Sequence, residues 1–271
     1  MEVAKLIIKQ FLPKLGFSAD EIPVGNGQRA DLRIADDKDV YHIEVKEKYD
    51  SEEDVRKRRD ALATGDVYPE VAPLWKNNTI SGILRDAQGQ LDETPKDPGT
   101  FQLIWFHAGG IDAELKGMQA FATFYGDVPV SARWPSEAGT KHCFYFDYSD
   151  AVVMPTIEAL ILSERDSLAR VCLNERSPRA AEFRETKLFQ KFHALNVVFD
   201  PLELASAGEV IFCRATIPRK NDDVVAKALH EQTGVLYSAI RMNRYTQTVA
   251  VNPYLDAQKR NSPDADSADG A

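Results

Sequence analysis

The stretch that decides the fold is "YHIEVKEKYD", residues 41–50. Tyr41, Ile43 and Val45 alternate with His42, Glu44 and Lys46, the period of a β-strand whose successive side chains point to opposite faces. Just upstream, "ADLRI" (30–34) shows the same alternation and is joined to it by a polar turn, "ADDKD" (35–39). Two strands, Ala30–Ile34 and Val40–Glu47, are expected to form a hairpin. With the turn centred between Asp37 and Lys38, antiparallel partners have numbers summing to 75. Leu32 then faces Ile43, Ile34 faces Tyr41 and Ala30 faces Val45, and a one-residue slip would mix the two faces.

The same register sets Asp31 opposite Glu44, Arg33 opposite His42 and Arg29 opposite Lys46. Two carboxylates directly opposite repel, by about 1 kcal/mol at 4 Å in bulk water and ~4 kcal/mol at an effective dielectric near 20. A divalent cation between them reverses the sign. Two carboxylates completed by water and phosphate oxygens make the incomplete oxygen shell that Mg²⁺ prefers. A lysine beside such an ion, here Lys46, can help position and deprotonate an attacking water. His42 reads as a flank of this face or a surface residue rather than a ligand.

Composition sets the background. The chain has 271 residues, 44% of them hydrophobic, enough to bury one large core or two modest ones. Its net charge of -9 argues against nonspecific coating of nucleic acid and leaves room for a local basic groove. Cys143, Cys172 and Cys213 lie far apart and read as reduced, partly buried thiols, with no zinc-type spacing. The first residues are amphipathic rather than continuously apolar, and no stretch approaches about 18 uninterrupted apolar residues. A cytoplasmic protein with no membrane span is the expectation.

Around the hairpin the pattern is mixed α/β. Residues 2–15 read as a helix with Val3, Leu6, Ile7, Phe11 and Leu15 on its apolar face and Gly16 as its stop; residues 18–29 read as turn-rich. Ser51–Ala63 reads as a charged helix, and residues 79–91 as an amphipathic one capped by Asn78 or Thr79. "FQLIWFH" (101–107) suits a buried strand, followed by a helix ended by Gly126. Further strands are expected at "HCFYFDY", "ARVCL", "EVIFCRATI" and "TQTVAVN", with helices at Arg179–Ala194 and Asp222–Thr233. The expected organisation is an α/β core over residues 1–175, an α/β extension packed on it over 176–254, and a disordered acidic tail, 255–271. Trp75, Trp105 and Trp134 read as core residues.

"DLRI" followed by "IEVKEK", after an N-terminal helix and a Gly-containing turn, resembles the core of the PD-(D/E)xK superfamily, the restriction-endonuclease-like phosphodiesterases. The resemblance covers about residues 2–107. It implies a mixed central sheet flanked by helices and a Mg²⁺- or Mn²⁺-dependent nuclease acting on nucleic acid, DNA in the first instance. Asp31 and Glu44 would be metal ligands and Lys46 the catalytic lysine. Many members carry a glutamate on the first helix, where the available acid is Glu2, and some a glutamine on the helix after the motif, where Gln88 is preferred over Gln90. A homodimer is also implied. The run Arg56, Lys57, Arg58 and Arg59 is a candidate phosphate contact, and the basic residues of 176–191, including Arg184, Lys187 and Lys191, a candidate far wall of a groove. The rival expectation is a catalytically inactive nuclease-fold module that binds nucleic acid or a protein partner.

Overall fold

The computed structural model describes residues 2–23, 29–64, 68–133, 139–164, 169–241 and 245–250. Trp134 and the acidic tail 255–271 lie outside the described residues. In chain order the elements are α1 (Glu2–Phe11), a 3-10 turn (Leu12–Leu15), β1 (Ala19–Glu21), β2 (Leu32–Ala35), β3 (Val40–Lys48), α2 (Glu52–Ala63), β4 (Tyr68–Pro73), α3 (Asn78–Glu93), β5 (Phe101–Ala108), α4 (Ala113–Tyr125), β6 (Val128–Ala132) and β7 (Thr140–Phe144). They continue with α5 (Asp150–Val153), β8 (Ala159–Glu164), β9 (Arg170–Leu173), α6 (Ala180–Arg184), α7 (Lys187–Ala194), β10 (Val198–Phe199), α8 (Pro201–Ser206), β11 (Val210–Phe212), α9 (Asp222–Thr233), β12 (Tyr237–Ala239) and β13 (Tyr245–Ala250).

The chain divides into two compact units. The first is Met1–Tyr49 with Leu74–Arg244. Residues on both sides of position 175 belong to it, and β10 pairs with β9 across that position. Its main sheet has the order β1-β2-β3-β5-β8-β9-β10 and is mixed: β1, β2 and β3 are antiparallel neighbours, while β3, β5 and β8 run parallel. A second sheet in the same unit has the order β11-β7-β6-β12. The other unit, Asp50–Pro73 with Tyr245–Ala271, contains α2 and the antiparallel pair β4-β13.

From Leu32 to Ala35 the hairpin register is the one the turn predicts: Leu32 pairs with Ile43, Arg33 with His42 and Ile34 with Tyr41. It stops there: the Asp31 N–H also bonds the Ile43 carbonyl, at 3.1 Å, and Ala30, expected opposite Val45, packs on the other face of the sheet, with α3. β5 is buried along its whole length between β3 and β8, which is why it reads as a continuous apolar run rather than an alternation. One face of the main sheet packs Leu32, Ile43, Val45, Leu103 and Trp105 against α1, α6 and α7. The other packs Ile104, Phe106, Leu160 and Leu162 against α3 and α4. The architecture is therefore α/β, a mixed sheet flanked by helices.

Several elements differ from the sequence reading. The buried face of the first helix is Ala4, Ile8, Leu12 and Leu15, whereas Val3 and Leu6 are 54% and 57% exposed. This helix has apolar residues on two sides, and Pro13, at the start of the 3-10 turn, changes the winding between Phe11 and Leu15. Gly16 ends it in the left-handed region, φ 85°. Residues expected to be turn supply the edge strand β1, paired with β2. The expected helix Arg179–Ala194 is two helices, because Thr186 Oγ1 accepts the Phe189 N–H and starts a new one. The cap of α3 is Asn77, whose Oδ1 accepts from Thr79 and Ile80 N–H at 2.9 and 3.2 Å, rather than Asn78 or Thr79. Trp105 is buried, but Trp75 is 39% exposed. The three cysteines are free and buried.

The rotated face of α1 predicts that Ile8→Ala lowers unfolding free energy by roughly 2–5 kcal/mol, while Leu6→Ala changes it by less than about 0.5 kcal/mol, measured by urea denaturation.

Candidate catalytic and metal site on the hairpin

The polar face of β3 is covered. His42 and Glu44 are both buried, Glu44 to 1% exposure, on the side of the sheet where α3 packs. Thr94, just past the end of α3, holds that helix to the hairpin: its Oγ1 accepts the Ala30 N–H at 2.6 Å and donates to the Gln90 carbonyl at 2.7 Å. From β5, Gln102 Nε2 donates to the Leu91 carbonyl at 2.7 Å. These bonds carry Gln90 to Lys46, whose ammonium donates to Gln90 Oε1.

Lys46 Nζ also stands 2.8 Å from Glu44 Oε1, a charge contact outside good hydrogen-bond geometry; among the described residues Glu44 Oε2 has no hydrogen-bond partner. Burial, with the Asp31 charge adding to it, pushes the Glu44 carboxyl up to about 7, while Lys46 works the other way. Asp31 sits immediately before β2 and is 11% exposed. Its Oδ2 accepts the Val45 N–H at 2.9 Å, and its Oδ1 is ion-paired to Lys5 of α1. The two acids and Lys46 are thus gathered at one end of the hairpin, with Lys5 as a fourth member; Asp31 comes to the group through the Val45 N–H and not by pairing opposite Glu44.

Other sequence candidates fall elsewhere. Gln88 is not the glutamine of this cluster: its Nε2 donates to Thr156 Oγ1 at 3.1 Å, and Gln90, two positions on, reaches Lys46. Glu2 opens α1, and its side chain lies outside the described part. His42 is buried rather than a surface residue; burial, then Arg33 and Lys96, hold its imidazole below the usual range, and among the described residues its Nδ1 has no hydrogen-bond partner. In the second unit, Arg58 is buried and paired with Asp50 at 2.9 Å, so it cannot serve as an exposed phosphate contact; Arg56, Lys57 and Arg59 are exposed, Lys57 being paired with Glu53.

The basic residues of 176–191 are largely committed within the fold. Arg184 bridges Glu175 and Asp200, Arg179 donates to the Gly99 and Thr100 carbonyls, and Arg176 to those of Cys213 and Arg214. Lys187 and Lys191 remain exposed. Among the described residues there is no group of three or more His, Cys, Asp or Glu placed to hold a metal, so an ion at the hairpin would rest on two carboxylates with water and substrate oxygens. Among the described residues, no helix is long and apolar enough to cross a membrane.

No protein-family model, curated protein or solved structure matches the chain.

Glu44 yields a pH prediction. Its folded-state carboxyl titrates near 7 against 4.5 when unfolded, so the native state holds the proton more tightly. Its contribution is fully present below about 4.5 and is lost as pH rises towards 7, levelling off above. Glu44→Gln imitates the protonated form. Its stability relative to wild type should therefore rise between pH 5 and pH 8, by on the order of 1–3 kcal/mol. Glu158, whose carboxyl burial also pushes up to about 7, titrates in both proteins and cancels in the difference. Urea midpoints at the two pH values measure this, and a pH-independent difference would show that Glu44 is not held in a protonating environment.

Proposed function

We propose that the chain is a metal-dependent nuclease that hydrolyses phosphodiester bonds of nucleic acid, DNA in the first instance, on a restriction-endonuclease-like core. The observation that carries this reading is a buried carboxyl with a raised pKa and a partnerless oxygen, set beside a second carboxylate and an anchored lysine. Strongly perturbed acids of this kind concentrate at functional sites. Of the span that resembles PD-(D/E)xK enzymes, α1, the hairpin, α3 and β5 lie in one unit, while residues 50–73 belong to the other.

Asp31 and Glu44 would hold Mg²⁺ or Mn²⁺, and the orphaned Oε2 of Glu44 is the donor best suited to it. When bound, the ion supplies positive charge that stabilises the developing charge on phosphate oxygens. Lys46 has three N–H groups; Gln90 takes one and Glu44 Oε1 faces another, leaving a third for an attacking water or a phosphate oxygen. Gln90 and Glu44 hold that ammonium in place, so no reorientation is needed when substrate arrives.

A second reading, an inactive nuclease-fold module binding nucleic acid or a protein partner, draws support from Asp31: the Val45 N–H and Lys5 occupy both of its oxygens.

On the nuclease reading, Glu44→Gln and Lys46→Ala each reduce Mg²⁺-dependent cleavage of DNA by about 10²-fold or more, with circular dichroism unchanged. Cleavage at the wild-type rate in both variants overturns the assignment. Nucleic-acid binding with neither metal affinity nor cleavage favours the inactive module.

A further inference from the structure

We infer that Lys5 is a built-in competitor for the divalent ion: its ammonium occupies the position on Asp31 that an ion must take, so ion binding at the hairpin displaces it. This rests on reading the hairpin as a metal site.

The charge balance points this way. Two carboxylates facing each other call for positive charge, and here two ammonium groups provide it, Lys46 beside Glu44 and Lys5 on Asp31. The cluster is electrically neutral without a metal when both carboxyls are ionised. The two lysines are held differently. Lys46 is 17% exposed and anchored by Gln90 as well as Glu44. Lys5 is 24% exposed, and its ion pair with Asp31 is the one side-chain hydrogen bond or ion pair it makes among the described residues. Its backbone is fixed, because Ala4 and Ile8 of the same helix are fully buried against the sheet. Its four-carbon stem is free to swing towards solvent once another cation takes over Asp31. The Val45 N–H bond takes a lone pair of the other oxygen of Asp31 and orients the carboxylate, so the oxygen with no backbone bond is the one Lys5 holds.

The test is a calorimetric titration of Mn²⁺ into the EDTA-stripped full chain, with thermal unfolding alongside, for wild type, Lys5→Met, Lys5→Arg and Asp31→Asn. Lys5→Met should bind Mn²⁺ about tenfold more tightly than wild type and gain more in Tm from the ion. Lys5→Arg, which keeps the charge, should bind like wild type, and Asp31→Asn should lose binding. Should Lys5→Met fail to fold, Lys5→Gln takes its place. Binding that emerges only when Lys5 is neutralised supports displacement most directly. Equal or weaker Mn²⁺ binding in folded Lys5→Met, with Asp31-dependent binding in wild type, overturns the competitor role and leaves the metal site standing. Absence of Asp31-dependent binding in both folded proteins removes the metal site, and the competitor role with it.

Discussion

The pairing of Leu32 with Ile43 and of Ile34 with Tyr41 is the constraint on which the rest depends. These four side chains sit in the core beneath α1, α6 and α7, so the register cannot slip without turning apolar residues to the wrong face. Because side chains alternate, fixing the apolar set fixes the polar set. Glu44 and Lys46 are directed towards α3, and Asp31 is brought to the start of β2. The charged cluster is thus a consequence of hydrophobic packing on the opposite side of the same strands.

That packing imposes a cost that the cluster then relieves. A carboxylate as buried as Glu44 loses hydration, which raises the energy of its charged form. Lys46 offsets part of this, Gln90 keeps Lys46 from leaving, and Lys5 neutralises the neighbouring Asp31. Elsewhere some buried charges are closed into pairs. Arg184 is closed off by Glu175 and Asp200, and Arg58 is paired with Asp50. Among the described residues, buried oxygens of Asp112 and Asp150 also lack hydrogen-bond partners; Glu44 Oε2 differs from them in having a second carboxylate and an anchored lysine beside it.

The hairpin and β5 were legible in the sequence because each follows a one-dimensional rule: alternation of period two around a polar turn, and an unbroken apolar run for a strand covered on both sides. The alternation places Glu44 and Lys46 on one face of β3, while Asp31 joins them at a break in the pairing, through the Val45 N–H. What escaped is what needs the third dimension. The apolar residues of α1 do not reveal which of two sides meets the sheet, and Ala4, too small to mark a stripe, lies on the buried one. β8 is another apolar run, but six residues of local pattern do not say where in the sheet it lies. Gln88 and Gln90 differ by half a turn, and the bonds of Thr94 and Gln102 decide between them. Nothing in the local sequence around Lys5 indicates Asp31; their meeting depends on how α1 lies against the hairpin.

The second unit joins parts of the chain that are far apart in sequence: Pro73 of β4 pairs with Tyr245 of β13, and Tyr68 with Ala250. During synthesis, which runs from the N-terminus, β4 emerges long before its partner exists. Its hydrogen-bonding edge must wait, unpaired, until nearly the whole first unit has left the ribosome. In the nascent chain the main sheet, whose last strand ends at Phe199, can therefore assemble before β4 meets its partner, and a transcript truncated before residue 245 would yield a protein whose β4 edge is permanently open to other chains.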